Sequence, residues 1–164
     1  MAAAKSVKDL ILILDDEASD QSVLTRGLRK LGVQNPILCL EEGRDAIHYF
    51  QGEPPYDDRT KFPLPSILFL DLQLPAITGW DVLDWIKGLQ MKKECEIFIY
   101  SVISNVDEIK RVYTLGADSF IKKPVREVDL VNLLHHFPKF WKIKSPRPTD
   151  APVAKAEGEG TSSD

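Results

Sequence analysis

Short runs of apolar residues alternate along the chain with longer segments in which apolar residues recur at helical spacing. The apolar runs cover residues 10–14, 36–40, 67–70, 97–100 and 119–121. Runs this apolar are typical of parallel strands that are covered on both faces of a sheet. Five such strands alternating with helices predict a doubly wound α/β sheet, and the right-handed crossover rule leaves few topologies for it.

Helical spacing is clear after the first and the third predicted strands. Leu24, Leu28 and Leu31 fall on one face of the first helix. Gly32 follows at the position where that helix is expected to end. After the third strand a helix is expected to begin near Gly79. Its predicted buried residues are Val82, Leu83 and Ile86.

The helices after the fourth and fifth predicted strands have recognisable ends. Asn105 and Glu108 form a typical N-terminal capping pair, and Gly116 is expected to close that helix. Its predicted inward-facing residues are Ile109, Val112 and Tyr113. The last helix is expected over residues 126–137, where Pro138 stops it. Its predicted buried stripe consists of Val128, Val131 and Leu134.

Three stretches fall outside this alternation. Residues 51–65 contain Gly52, four prolines and several charges, which predicts a long loop before the third strand. Residues 145–164 have almost no large side chain to bury and are predicted to form a disordered tail. Residues 1–8 are interpreted as an N-terminal extension. One domain over residues 9–144 is therefore expected.

Composition and charge exclude several functional classes. The 164 residues carry a net charge of −4, which gives no indication of nucleic-acid binding through bulk electrostatics. No apolar run approaches the roughly 20 residues that a membrane-spanning helix requires. We therefore expect a cytoplasmic protein without nucleic-acid or membrane partners. Cys39 and Cys95 have no histidine at metal-ligand spacing and are interpreted as reduced thiols.

Polar side chains follow four of the predicted strands. In chain order they are Asp15 and Asp16, then Asp71, then Ser101, then Lys122, Lys123 and Pro124. Ligands of open α/β sheets bind beyond the carboxyl ends of the strands, so we expect these groups to converge on one edge. Each alone is typical of a turn or a helix cap, but together they indicate a site.

The residue types in this cluster favour one kind of chemistry. Carboxylates held close together raise one another's pKa unless a cation joins them, and Mg²⁺ prefers such oxygen ligands. A carboxylate nucleophile can accept a phosphoryl group to give an aspartyl phosphate. A metal, a lysine and a hydroxyl group can supply the positive charge that the phosphoryl oxygens need. The cluster therefore predicts phosphoryl transfer under Mg²⁺.

Taken in order, these motifs resemble those of the response-regulator receiver family. The segments that carry the resemblance are ILDDE at 13–17, LDLQLP at 70–75 with Gly79 beyond it, YS at 100–101 and KP at 123–124. The resemblance covers about residues 9–137. It implies a flavodoxin-like (βα)5 fold with strand order 2-1-3-4-5. It also implies a single-domain signalling protein rather than an enzyme, although one that assists its own phosphorylation and dephosphorylation.

The resemblance assigns the acceptor and the metal ligands. Asp71 is the expected phosphoacceptor. Mg²⁺ is expected to bind Asp16 directly, Asp15 partly through water, and Asp71. The backbone carbonyl of Gln73 is expected to complete the metal site.

The resemblance also implies how the remaining groups act. Ser101 is expected to swing towards the phosphoryl group, and Lys123 to contact it. Lys122 is expected to point elsewhere, because successive strand residues alternate faces. Phe120 holds the place of the aromatic switch residue, although an ordinary core or surface aromatic is an equal alternative.

No DNA-binding or catalytic domain is expected after the receiver, so the output is expected to be protein contact. The expected partners are a sensor histidine kinase or a phosphotransfer protein and a downstream protein target, and a second copy of the chain is a further candidate. The aromatic segment 137–141 is either a dimer surface or a cap on the core of its own domain. The 51–65 loop is similar to an insertion in small regulators associated with phytochrome-type kinases.

Three other classes of protein fit the sequence less well. An aspartyl-phosphate phosphohydrolase requires a carboxylate two residues after its nucleophile, where this chain has Gln73. A flavodoxin-type cofactor binder requires phosphate-binding amides after the first strand, where Asp15 and Asp16 repel phosphate. A degenerate receiver that serves only as a docking module predicts a missing site residue, and none is missing.

Overall fold

The computed structural model describes residues 9–89 and 94–144, and over these residues the chain forms one five-stranded parallel sheet. The strands are β1 Ile11–Leu14, β2 Ile37–Leu40, β3 Ile67–Leu70, β4 Glu96–Ser101 and β5 Ser119–Lys122. Their order in the sheet is β2-β1-β3-β4-β5. The α/β class and the strand order 2-1-3-4-5 are therefore confirmed, and each predicted strand lies within one or two residues of its expected bounds.

Helices connect the strands on both faces of the sheet. They are α1 Ala18–Lys30, α2 Gly43–Gln51, α3 Gly79–Gly88, α4 Val106–Thr114 and α5 Glu127–His136. A short 3₁₀ helix, Pro138–Phe140, follows α5. The pattern predicted at least one end of every helix except α2. Asn105 caps α4 by accepting hydrogen bonds from the backbone N–H groups of Asp107 and Glu108, as its position predicts.

The core lies in two layers, one on each face of the sheet. In β1, Leu12 and Leu14 face the layer that α2, α3 and α4 cover, whereas Ile11 and Ile13 face α1 and α5. All residues of β1, β3 and β4 are buried, as continuous apolar runs predict for central strands. The edge strands β2 and β5 are only partly buried.

The inward faces of two helices differ from the prediction. Tyr113 of α4 is exposed, and Val112 is the buried residue of that helix. In α5, Val128 is half exposed, and the buried residues are Leu130 and Leu133. Of the predicted stripe, Val128 is therefore wrong, whereas Leu134 is partly buried and packs against the core cluster that contains Leu130 and Leu133.

The predicted loop at 51–65 is irregular, but it is packed rather than merely solvated. Tyr56 and Phe62 turn back onto Tyr49 of α2, with ring centroids 5.0 and 6.1 Å from its ring. The Tyr49 hydroxyl donates to the carbonyl of Pro63, 2.7 Å away. Arg59 donates to the carbonyls of Phe50 and Phe62 and thereby closes the loop.

The aromatic segment after α5 is a cap on the domain's own core. Trp141 is 8% exposed and stacks on Phe98 of β4 at 6.1 Å, and Phe137 contacts the same ring at 4.9 Å. These rings are therefore not available as the dimer surface that was the alternative. The chain then pairs with the loop after α1 through an antiparallel bridge between Val33 and Ile143.

Asn35 joins this C-terminal segment to the start of β1. Its side chain is fully buried and donates to the carbonyls of Asp9 and Phe140 at 2.7 and 2.9 Å. Its side-chain oxygen accepts from the backbone N–H of Lys142 at 2.7 Å. One amide therefore ties together three segments that are far apart in sequence.

We expect Asn35→Ala to lower the free energy of unfolding by about 2 kcal/mol, because three hydrogen bonds are lost and their backbone partners are left partly buried. Urea denaturation measures the change. Gln34→Ala is the matched control, because the exposed Gln34 contributes its backbone N–H to Lys142 whatever its side chain. An Asn35→Ala variant as stable as the control contradicts this account.

The expected N-terminal extension at 1–8 and tail at 145–164 lie outside the described residues, so their assignment stays a prediction. Within the described ranges, no helix is both long and apolar enough to cross a bilayer. Cys39 is exposed on β2 and Cys95 is buried just before β4.

Candidate functional site

Backbone hydrogen bonds continue the sheet just beyond the strands and bring the predicted site residues side by side. The N–H of Asp15 donates to Leu40, and the N–H of Asp71 donates to Leu14, both at 3.0 Å. The N–H of Lys123 donates to the carbonyl of Ser101 at 2.8 Å. Because the sheet is parallel, all these residues lie at its carboxyl edge, where the sequence places them.

Asp71 is the centre of the cluster and is only 4% exposed. Its Oδ1 accepts hydrogen bonds from the Ser101 hydroxyl at 3.0 Å and from the backbone N–H of Gln73 at 3.1 Å. Its Oδ2 accepts from Lys123 Nζ at 3.1 Å. These donors fix both oxygens of the carboxylate in position.

Gly79 allows the loop after β3 to fold back against Asp71. A Cβ atom at position 79 would collide with the backbone of Asp71 and Leu72, and the N–H of Gly79 donates to the carbonyl of Leu72 at 3.1 Å. Thr78 and Asp81 then form a reciprocal capping box that begins α3. Glycine is therefore required here by close backbone approach.

Asp15 is a fully buried carboxylate with an incomplete set of partners. Its Oδ1 accepts from the N–H of Glu17 at 2.9 Å. Its Oδ2 forms an ion pair with Lys123 Nζ at 2.7 Å and has no hydrogen bond from any described residue. Burial raises the pKa of Asp15 to about 6, and the charge of Asp71 adds to the effect against the opposing influence of Lys123.

Gln21 positions the turn that carries Asp15. Its side-chain amide is buried and donates to the carbonyls of Asp15 and Leu40 at 2.7 and 3.1 Å. It thereby ties α1 to the ends of β1 and β2. The sequence analysis missed Gln21, because a polar residue within a helix gives no signal that it is buried.

Lys123 contacts three carboxylates. Asp15, Asp71 and Asp20 lie 2.7, 3.1 and 2.9 Å from its Nζ. Burial alone lowers the pKa of Lys123, but these contacts outweigh it and raise that pKa. The sequence analysis missed Asp20, since an acidic residue in the first turn of a helix is common for electrostatic reasons alone.

Asp15, Asp16 and Asp71 form a candidate metal site. One carboxylate oxygen from each lies within 4.8 Å of the others. Two of the three residues are buried, so their mutual repulsion is poorly screened by water. The buried Oδ2 of Asp15, which lacks a hydrogen bond, fits a hard cation as its missing partner.

The other predicted residues lie where the sequence places them, although nothing in the geometry tests their roles. Lys122 is exposed and turned away from the cluster. Gln73 is exposed beside Asp71. Phe120 is partly buried and packs against the core layer beneath α3 and α4.

Comparison with known proteins identifies the family. Residues 11–135 match the model of the response regulator receiver domain. The chain belongs to this family. The matched residues include every site residue described above and end one residue before the last residue of α5.

Other receivers share this fold over most of their length. Response regulator Rcp1 of Synechocystis sp. is 24% identical over 132 residues, which cover 80% of this chain and 88% of Rcp1. The bacteriophytochrome response regulator RtBRR has a TM-score of 0.73 at 21% identity, covering 93% of this chain and 92% of RtBRR. The phosphorylated cyanobacterial phytochrome response regulator RcpA has a TM-score of 0.67 at 24% identity, covering 84% and 99% of the two chains.

Proposed function

We propose that this receiver domain takes a phosphoryl group onto Asp71 under Mg²⁺, from a sensor histidine kinase or a phosphotransfer protein. The observation that carries the proposal is the buried Asp71 carboxylate, which Ser101 and Lys123 hold beside Asp15 and Asp16. Nucleophile, hydroxyl donor, ammonium group and acidic pair are thus within reach of one another. These are the groups that phosphoryl transfer to a carboxylate requires.

Each residue has a defined part in the transfer. An oxygen of Asp71 bonds to phosphorus while the bond from phosphorus to the donor's leaving atom breaks, and the leaving group departs with the electron pair. Lys123 Nζ and the Ser101 hydroxyl, which now donate to Asp71, are placed to donate to the transferred oxygens. Hydrolysis of the aspartyl phosphate by water returns Asp71 to its free carboxylate and releases inorganic phosphate.

Asp15, Asp16, Asp71 and the backbone carbonyl of Gln73 are the groups that would hold Mg²⁺. The bound ion supplies positive charge to the carboxylates and to the phosphoryl oxygens. Asp15, Asp16 and Asp71 lie together, and Lys123 contacts only Asp15 and Asp71 of the three, so the cluster has an excess of negative charge that supports a divalent cation as its complement. Rcp1 has been solved in an Mn²⁺-bound form.

The relatives suggest where such a switch acts. Several are phytochrome or bacteriophytochrome response regulators, which supports a phytochrome-type kinase as the phosphoryl source. A cytoplasmic location is part of the proposal. We propose output through contact with a downstream protein or a change in dimerisation, with Phe120 and Ser101 as the switch residues. Residues 9–144 constitute the proposed receiver domain.

The proposal is tested by intact-mass spectrometry after incubation with acetyl phosphate. A single phosphate adduct is expected with Mg²⁺ and is expected to be absent when EDTA replaces the metal. Treatment of the adduct with hydroxylamine should remove it, as an acyl phosphate requires. An adduct of equal yield in EDTA, or one resistant to hydroxylamine, contradicts the proposal.

We expect Mg²⁺ affinity to depend on pH through Asp15. The pKa of Asp15 is raised to about 6, so below that pH its carboxyl group is protonated and must lose the proton before it can bind a cation. The dissociation constant should therefore rise about tenfold as the pH falls from about 7.5 to about 5. Calorimetric titration with MgCl₂ measures it, and proton release on binding should appear in the same pH range. An affinity that is constant over this range would contradict the assignment.

A further inference from the structure

Asp20 is a carboxylate in contact with Lys123 that has no part in the proposed transfer. It lies in the first turn of α1, and its Oδ2 accepts a hydrogen bond from Lys123 Nζ at 2.9 Å. Its side chain is 31% exposed, whereas those of Asp15 and Asp71 are almost fully buried. Asp20 therefore stands at the solvent side of the lysine.

Carboxylates surround the ammonium group of Lys123, which donates hydrogen bonds to Asp20 and Asp71 and forms an ion pair with Asp15. An ammonium group has three N–H donors, and carboxylate oxygens of Asp15, Asp20 and Asp71 all lie within 3.1 Å of Nζ. The ring of Tyr100 faces Nζ at 5.2 Å and closes a further side. A phosphoryl oxygen that accepts a hydrogen bond from this ammonium group must therefore compete with the carboxylates already in contact with it.

The three carboxylates are not equivalent in this competition. Asp71 carries the phosphoryl group itself in the proposed function, and Asp15 belongs to the candidate metal cluster. Asp20 belongs to neither. Its contact holds Lys123 towards α1, and its carboxylate is the most exposed of the three.

We propose that Asp20 is a positioning residue that restrains Lys123 and slows phosphoryl transfer to Asp71; this inference rests on the proposed function. In the transfer, an Asp71 oxygen bonds to phosphorus, and the donor's P–O bond breaks so that acetate leaves with the electron pair. The ammonium group must turn towards the three transferred oxygens while Asp20 competes for it. Without Asp20, the lysine stays in the site through Asp15 and Asp71 and gains a free donor.

The test compares Asp20→Asn with wild type in the rate of adduct formation from acetyl phosphate and Mg²⁺. We expect the rate to be about three- to tenfold higher in the variant. This is the size of effect expected when Lys123 loses one charged, partly exposed hydrogen bond. Asp20→Glu, which retains the charge, should return the rate towards wild type. Asp107→Asn removes an exposed acidic side chain from the first turn of α4 and should leave the rate of adduct formation unchanged. The acceleration should persist at raised KCl concentration, because a direct contact is screened less than a distant charge.

A second measurement reports on the contact without metal or phosphate. Amine-selective NMR of the Mg²⁺-free protein should show the Lys123 ammonium signal displaced in Asp20→Asn and unmoved in Asp107→Asn. An adduct that forms in Asp20→Asn no faster than in wild type overturns this inference and leaves the proposed function intact. A gain that vanishes at high salt also overturns it. A wild-type protein that takes no adduct overturns the proposed function and this inference with it.

Discussion

Asp71→Asn is expected to abolish the phosphate adduct, a loss of at least about a hundredfold in the rate of phosphorylation. The amide keeps the shape of the carboxylate but is not a nucleophile towards phosphorus. The expectation rests on the buried position of Asp71, whose two oxygens accept hydrogen bonds from Ser101 and Lys123. Intact-mass spectrometry after incubation with acetyl phosphate and Mg²⁺ measures the effect.

The fold should survive this substitution, because an uncharged amide also relieves the crowding of carboxylates. Asp84→Asn is the matched control: Asp84 is exposed on α3, outside the cluster, and its variant should be phosphorylated like wild type. An adduct that persists in Asp71→Asn would move the acceptor to another residue. Peptide mapping of that adduct would locate it.

Lys123→Met is expected to lower both the free energy of unfolding and the rate of phosphorylation, and the two effects can be measured separately. Lys123 is the shared partner of Asp15 and Asp71, and all three side chains are nearly buried. Without the ammonium group these carboxylates face one another uncompensated, so we expect the Mg²⁺-free protein to lose about 3 kcal/mol of unfolding free energy. Phosphorylation should slow about a hundredfold, because a donor to the transferred oxygens is lost.

Metal separates the two effects. Saturating Mg²⁺ should restore more stability to Lys123→Met than it adds to wild type, because the ion supplies the missing positive charge. The slow phosphorylation should remain. Urea denaturation with and without Mg²⁺ measures the first effect, and the mass assay measures the second. Lys122→Met, which changes the exposed neighbour, should differ from wild type in neither. Equal stability of the two variants without metal would refute the shared-partner role.

The sheet and the principal site residues are predictable because both follow from local pattern. A run such as Ile67–Leu70 can be buried on both faces only in a central strand, and Asp71 follows it directly. Parallel strands then bring Asp15, Asp71 and Lys123 to one edge without any knowledge of side-chain packing. The family match spans all of these positions, since it covers residues 11–135.

What the sequence does not predict depends on contacts between distant segments. Asn35 and Gln21 are polar residues whose burial is determined by which carbonyl groups surround them in the fold. The face of α5 was predicted only in part, because the sequence has two apolar stripes and only packing against β4 and α1 selects Leu130 and Leu133. Asp20 reaches Lys123 only because α1 begins beside the carboxyl end of β5. The two residues are 103 positions apart in the sequence.

Asn35 holds the C-terminal segment against the start of β1, and this determines where the protein can be attached to a surface. Lys144 donates its N–H to Gly32, and Lys142 pairs with Asp9, so the described chain ends at the amino edge of the sheet. Asp9 precedes Asp15 by six residues, and at about 3.3 Å per strand residue the two edges are roughly 20 Å apart. A label or surface anchor attached after Lys144 would therefore leave the opposite edge open to a kinase, so immobilised protein should exchange phosphate like protein in solution.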